Sequence, residues 1–89
     1  MTETVRIESD SLAVEVSSLG AEMQSLSHKD GRSFLWSGDP VWWSGRSPIL
    51  FPIVGKAPGD MLEISGQHYP LKQHGFARRS TFALVDQGQ

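Results

Sequence analysis

Residues 4–16 read TVRIESDSLAVEV, and the alternation of apolar and polar residues in this stretch decides the fold class. Val5 and Ile7 fall on one face of an extended chain, while the polar residues between them fall on the other. The same alternation returns after Asp10-Ser11, a dipeptide typical of a tight turn. The sequence therefore predicts an antiparallel hairpin of two strands here.

Further strands with turn signals between them follow along the chain. Lys29-Asp30-Gly31-Arg32 predicts a primed hairpin turn, and Ser65-Gly66-Gln67 predicts a second hairpin. No stretch carries the apolar stripe of a three-turn helix. The fold class is therefore predicted to be all-β and mostly antiparallel, and the remaining strands are expected at residues 21–27, 33–36, 61–64, 68–72 and 80–85.

The middle of the chain differs in composition from the segments on either side of it. Residues 37–59 contain eight glycine or proline residues, a density that excludes a helix. The apolar residues at 49–54 are expected to be buried in a compact fold, so this segment is predicted to cross the core as an irregular strand or loop. Such a segment is costly unless its shape serves a site.

The chain has 89 residues, of which 38% are hydrophobic and 20% charged, values typical of a folded domain rather than a disordered one. A chain of this size buries only about 60–65% of its surface. Three tryptophans and a long Gly/Pro-rich segment are features of something larger. We therefore interpret residues 1–89 as a single, partial β-sandwich domain, whose open strand edges would favour self-association.

Charge and cysteine content exclude several classes of function. The formal net charge is −2, which argues against nucleic acid or an anionic membrane surface as a partner. The absence of cysteine excludes a disulfide framework and a Cys-based zinc site, and together with the lack of a signal peptide it predicts a cytoplasmic protein. No apolar stretch approaches the roughly 20 residues of a membrane helix. We expect no metal and no cofactor.

Two segments place charged or titratable side chains on backbone shaped by glycine and proline. In residues 46–56, RSPILFPIVGK, Arg46 offers a planar fork for a carboxylate, a phosphate or vicinal hydroxyls. In residues 73–78, QHGFAR, His74 can exchange a proton near neutral pH, Gly75 permits a turn, and Phe76 is expected to anchor the loop in the core. The residues alone indicate an anion or polyol site.

Five elements follow one another along the chain: GAE at 20–22, LWSGDP at 35–40, WW at 42–43, the 46–56 segment and HGFAR at 74–78. Their order and spacing resemble the aldose 1-epimerase (galactose mutarotase-like) family. The similarity is strongest to the bacterial branch that includes the LacX-type proteins and borders the glucose-6-phosphate 1-epimerases, and it covers about the N-terminal third of the family's domain.

The resemblance implies an antiparallel β-sandwich of galactose mutarotase type with an open cleft for a pyranose. It implies interconversion of α and β anomers by acid–base catalysis on a sugar or sugar phosphate. His74 would be catalytic, contacting the sugar near its ring oxygen, with Arg46, Arg78 and Trp43 binding the substrate. The acid histidine and the glutamate base lie downstream in the family, so this chain alone is expected to be inactive.

Alternatives stay open both for the function of the protein and for the roles of individual residues. The protein could be a non-catalytic carbohydrate-binding β-sandwich or a hexose-6-phosphate 1-epimerase. Arg46 could instead be a structural ion-pair partner, and one ring of the Trp42-Trp43 pair is expected in the core. Arg46, His74 and Arg78 are predicted to converge on one cleft. The remaining polar residues are expected to lie on strand faces or in solvent, namely Glu22, His28, Lys56, Glu63, His68 and Arg79.

Overall fold

A computed structural model of the protein describes residues 2–87. It has an all-β architecture with two antiparallel sheets. The first sheet has three strands in the order β1-β2-β3, and the second is a two-stranded hairpin of β4 and β5. The strands are β1 (Thr4–Glu8), β2 (Leu12–Ser17), β3 (Met23–His28), β4 (Met61–Ile64) and β5 (Gln67–Pro70).

Two single-turn 3₁₀ helices complete the regular structure, at Pro58–Asp60 and Ala77–Arg79. Between β3 and the first of these helices, the chain runs through residues 29–57 without a strand or helix. The density of glycine and proline predicted this for residues 37–57, whereas a strand was predicted at 33–36. Within residues 2–87, no helix has the length and apolar character needed to cross a bilayer.

The predicted hairpin at residues 4–16 is confirmed. Val5 lies opposite Val16 and Ile7 opposite Val14 across β1 and β2. Since directly opposed residues share a face of the sheet, these four side chains form one apolar face. Leu26 of β3 joins them through its pairing with Val14. The opposite face of the same strands carries polar side chains, among them Glu15, which accepts a 2.9 Å hydrogen bond from the Ser25 hydroxyl.

Of the two predicted hairpin turns, the one at 65–66 is confirmed, and the one at 29–32 has a different conformation. Ser65 and Gly66 have φ values of 52° and 80°, the combination that a two-residue type I′ turn requires, and they join β4 directly to β5. At the 29–32 turn only Gly31, at 98°, has a positive φ, so the predicted primed turn is wrong there. A backbone hydrogen bond from Gly31 N to the His28 carbonyl, 2.9 Å long, closes the turn instead.

Two predicted strands are reduced to single bridges. At 33–36, Ser33 pairs with Ser27, and the Trp36 indole then donates to the Trp43 carbonyl (2.8 Å), which draws the chain into the next loop. At 80–85, Thr81 pairs only with Leu19. The available partner segment is short because the backbone turns away immediately after it, with positive φ at both residues 20 and 21.

The predicted burial of the middle segment is also wrong. Phe51 is 57% exposed and Val54 is 78% exposed. Trp42 and Trp43 are both exposed, so neither ring occupies the core as predicted. Among the described residues, the buried apolar side chains are those of three alanines, Ala13, Ala57 and Ala77.

The chain is extended for its length. Its radius of gyration is 16.2 Å and its principal extents are 53 × 34 × 23 Å, whereas a compact domain of this size has a radius of about 12 Å. Among residues 2–87, eighteen large hydrophobic side chains are exposed. The structure is therefore two well-formed sheets joined by loops, without a closed hydrophobic core.

Candidate functional site

The loop that carries His74 is held against residues 51–55 by a set of backbone hydrogen bonds. The Phe51 carbonyl accepts from Phe76 N at 2.9 Å and from Ala77 N at 3.2 Å. Phe51 and Gly75 also form a parallel bridge, and the rings of Phe51 and Phe76 meet edge-on at 6.2 Å between centroids. Phe76 is exposed, so it anchors this loop to Phe51 and not to a core as predicted.

Gly75 is required at its position by both conformation and space. Its φ is 73°, in the left-handed region that favours glycine. A β-carbon there would lie 2.0 Å from the Phe51 carbonyl oxygen, a distance no side chain can adopt. The glycine therefore lets the loop approach the 51–55 segment closely enough to place the neighbouring His74 against Gly55.

His74 is half-buried and bonded to Gly55 at two points. Its backbone N–H donates to the Gly55 carbonyl at 2.7 Å, and the Gly55 N–H donates to its Nδ1 at 2.9 Å. Its φ is 64°, a left-handed conformation uncommon outside glycine. The surrounding bonds thus hold both the backbone and the ring of His74 in place.

Arg46 is fixed from the edge of β3. Glu22 Oε2 accepts hydrogen bonds from Arg46 N at 2.8 Å and Ser47 N at 3.0 Å. The Arg46 guanidinium donates through Nε to the Ser37 carbonyl at 3.0 Å, and through Nη1 to Gln24 Oε1 at 2.7 Å and the Gln24 carbonyl at 3.3 Å. Arg46 Nη2 makes no hydrogen bond with the described residues, which leaves one edge of the fork unused.

These contacts correct two expectations. Glu22 is half-buried and binds two backbone amides, so its predicted place in solvent is wrong. The acceptors of Arg46 are neutral oxygens, and within residues 2–87 its guanidinium forms no ion pair. The predicted structural role of Arg46 therefore exists, but through carbonyl and amide groups.

Arg78 lies in the 3₁₀ helix Ala77–Arg79, four residues beyond His74. Its Nη2 donates to the Gln73 carbonyl at 3.3 Å. Its Nε is buried without a hydrogen-bond partner among the described residues, an arrangement native proteins usually avoid. The unpartnered donor of Arg78 is therefore buried beside the His74 loop, whereas Arg79 is exposed as predicted.

Trp43 is exposed, with its indole packed over Gly45, where a β-carbon would lie 2.5 Å from ring atom Cζ2. Its carbonyl accepts from the Trp36 indole. The other polar residues lie as predicted: His28 and His68 are on strands, Glu63 is exposed, and Lys56 pairs with Asp60 at the surface.

The structure groups the four predicted site residues into two pairs. His74 and Arg78 share one loop, linked through Gln73. Trp43 and Arg46 share the loop after β3, where Arg46 bonds to Ser37. No hydrogen bond or ion pair of the described residues joins one pair to the other, so convergence on one cleft stays a prediction. A cavity of about 360 Å³ and another of about 580 Å³ lie elsewhere, against β1, β2 and residues 82–87.

Three residues that support the site were not given that role from the sequence. Glu22 and Gln24 hold Arg46, and Gly55 holds His74. The GAE element at 20–22 was a signal for Glu22, but alternation along the strand suggested solvent instead. Gln24 and Gly55 act through contacts with distant segments, which local sequence does not reveal.

The family model for aldose 1-epimerase matches residues 3–89. The chain belongs to the aldose 1-epimerase family. Two relatives from Lactococcus lactis subsp. lactis, the plasmid and chromosomal LacX proteins, are each 36% identical to this chain, in alignments that cover 93% of this chain and 29% of the relative. The chain thus spans about three-tenths of the length of the curated relatives it matches.

Solved structures give the same picture. A galactose mutarotase-like protein from Lactobacillus casei ATCC 334 has a TM-score of 0.90 and 37% identity, covering 97% of this chain and 30% of that one. A galactose mutarotase related enzyme from Lactobacillus acidophilus has a TM-score of 0.86 and 37% identity, covering 97% and 29%. The predicted antiparallel fold of galactose mutarotase type is confirmed, and it corresponds to the N-terminal portion of those chains.

Proposed function

We propose that this chain forms part of the pyranose-binding cleft of an aldose 1-epimerase-like protein, which interconverts the α and β anomers of an aldose. His74 contacts the sugar near its ring oxygen. Arg46, Arg78 and Trp43 bind the remainder of the substrate. The catalytic acid and base are supplied by the downstream part of the family's domain.

The observation that carries this proposal is the double attachment of His74 to Gly55, within an HGFAR element of a chain that belongs to the epimerase family. Backbone strain held in place by surrounding bonds is common at binding sites. A half-buried imidazole with a fixed ring can direct one nitrogen at a ligand oxygen. A surface histidine without a binding role would not need this support.

The environment of Arg46 favours an unphosphorylated sugar. A guanidinium clamps phosphate through Nη2 together with either Nε or Nη1, and here Nε and Nη1 both already donate to protein oxygens, so neither pair is free. The remaining Nη2 can donate to a single hydroxyl. We therefore favour an aldose over a hexose 6-phosphate as substrate.

The experiment that tests this function is a chimera. Residues 1–89 replace the corresponding N-terminal portion of the Lactobacillus acidophilus relative, and mutarotation of galactose, glucose and glucose 6-phosphate is followed by polarimetry, beside the unmodified recipient. We expect the chimera to accelerate mutarotation of the free sugars. His74→Ala should reduce the rate by about 100-fold, as loss of a positioned acid–base or hydrogen-bonding group does.

The matched control is His68→Ala, which removes an exposed histidine from β5 and should leave the rate unchanged. A folded chimera that binds sugar without turnover, while the recipient is active, would support the non-catalytic carbohydrate-binding alternative. A folded chimera that neither binds nor converts sugar would overturn the proposal.

A further inference from the structure

The two nitrogens of the His74 ring are not equivalent in this structure. The Gly55 backbone N–H points at Nδ1 at a distance of 2.9 Å. A backbone amide can only donate, so Nδ1 must present its lone pair and cannot carry a hydrogen. The ring proton of neutral His74 therefore resides on Nε2.

The arrangement is held from both sides of the contact. The reciprocal hydrogen bond, from His74 N to the Gly55 carbonyl oxygen at 2.7 Å, holds the two segments together. Gly55 has a φ of 97° and His74 a φ of 64°, so both partners are in left-handed conformations that the neighbouring bonds maintain. Flipping the ring by 180° would put Cδ2 in the place of Nδ1 and leave the Gly55 amide without this acceptor.

A second histidine with a similar bond, His28 on β3, differs in one respect. His28 Nδ1 accepts from Asp30 N at 3.1 Å, but it also lies 3.2 Å from the Asp30 carboxylate, which competes to place a proton on the same nitrogen. Within residues 2–87, no carboxylate forms such a pair with His74. The preference at His74 is therefore set by the Gly55 amide alone.

We propose that Gly55 is a positioning residue that holds His74 as the Nε2–H tautomer, so that His74 acts on a sugar oxygen as a hydrogen-bond donor through Nε2 and not as an acceptor. A neutral ring that gave up this proton entirely would become an imidazolate, which is highly unfavourable. His74 therefore polarises the ring oxygen, and a different group supplies the proton. This inference rests on the proposed function for its substrate but not for its test.

The test measures directly which nitrogen of the His74 ring carries the hydrogen. The full chain is labelled with ¹⁵N-histidine, and long-range proton–nitrogen correlations assign the hydrogen-bearing nitrogen of each ring, with His74→Asn identifying the His74 signals by their loss. We expect an unprotonated Nδ1 and a protonated Nε2 at His74 at pH values above the histidine titration. The exposed His68 serves as the internal reference for a ring without a backbone donor. Magic-angle spinning measures the same shifts if the chain associates.

Amide hydrogen exchange at Gly55 provides the second measurement. Asparagine keeps an acceptor at the δ position and tolerates a positive φ, so His74→Asn should leave the exchange rate within about threefold of the parent. Glutamine loses the δ acceptor, so His74→Gln should accelerate exchange about tenfold, as loss of one hydrogen bond permits.

A predominantly Nδ1–H ring, or rapid averaging of the two tautomers, would overturn the inference. Equal Gly55 exchange in the parent, His74→Asn and His74→Gln chains would do so as well. These results are independent of turnover. If the chimera is inactive but His74 is found as the Nε2–H tautomer, the result would count against the proposed function alone.

Discussion

Glu22 links two segments that are distant in sequence through one carboxylate oxygen. That oxygen accepts both the Arg46 and the Ser47 amides, and Ser47 Oγ in turn donates to the Met23 carbonyl at 2.9 Å. The position of the Arg46 loop on β3 therefore depends on the Glu22 side chain.

We predict that Glu22→Ala destabilises the chain by about 1–3 kcal/mol, because it leaves two half-buried amides without their acceptor. Urea denaturation at a fixed protein concentration measures the change. Glu63→Ala is the matched control, since Glu63 is exposed and its neighbour His68 lies 3.6 Å away, and it should shift stability by less than about 0.5 kcal/mol. Similar losses for the two variants would contradict the role given to Glu22.

Gly75 allows a second prediction at the scale of one residue. Gly75→Ala adds a β-carbon that collides with the Phe51 carbonyl, on top of the usual left-handed penalty of about 1–2 kcal/mol. We expect it to detach the His74 loop and to remove the Gly55 protection in hydrogen exchange. Gly31→Ala is the control, because Gly31 has a φ of 98° but a β-carbon added there would meet nothing within 4 Å. Equal effects of both alanines would show that the collision is unimportant.

At the scale of elements, the two sheets differ in how their strands are paired. β2 is paired on both sides, with β1 and with β3, whereas β4 and β5 pair with each other. The amides of β2 therefore bond to β1 on one side and to β3 on the other, so freeing the whole strand requires both ladders to open.

We predict that hydrogen exchange is slowest in β2 and markedly faster in β4 and β5, because local opening requires the loss of fewer contacts in a two-stranded hairpin. Amide exchange followed by mass spectrometry or NMR measures the order. Exchange in β4 and β5 as slow as in β2 would mean that the hairpin is stabilised by partners other than its own two strands.

At the scale of the whole molecule, the apolar face shared by β1 and β2 has little cover. Ile7 is 49% exposed, and β1 is an edge strand of its sheet. Exposed edges and apolar faces favour pairing with another chain.

We therefore expect the 89-residue chain to self-associate, as sedimentation velocity over a concentration series would show. Ile7→Lys places a charge on the apolar face and should shift the distribution towards monomer. Thr4→Lys introduces the same charge on the opposite face of β1 and should not. A monomeric parent chain with cooperative unfolding would refute this expectation.

The chain alone should also lack mutarotase activity. Among its acidic residues, none matches the downstream base that the family resemblance implies. Polarimetry of galactose with the purified chain should show the buffer rate, and clear acceleration that His74→Ala abolishes would contradict the assignment of acid and base to other parts of the family's domain.

The amino-acid sequence by itself determined the β class, the β1–β2 hairpin and the irregular 37–57 segment. These three features depend on local alternation, on turn-forming residues and on the density of glycine and proline, all of which act between near neighbours in the chain. The family was indicated separately, by the resemblance of the motifs in their order and spacing. The motifs around Arg46 and His74 were likewise visible as rigid backbone carrying polar side chains.

The tertiary structure decided which segments meet. Burial of Glu22, the loss of the strands at 33–36 and 80–85, and the contact between Gly55 and His74 all depend on residues far apart in sequence. The exposure of Phe51, Trp42 and Trp43 has the same origin, because hydrophobicity states what a side chain prefers, whereas burial requires a partner surface. The orientation of the His74 ring was decided by one backbone amide, which only the folded chain brings within hydrogen-bonding distance.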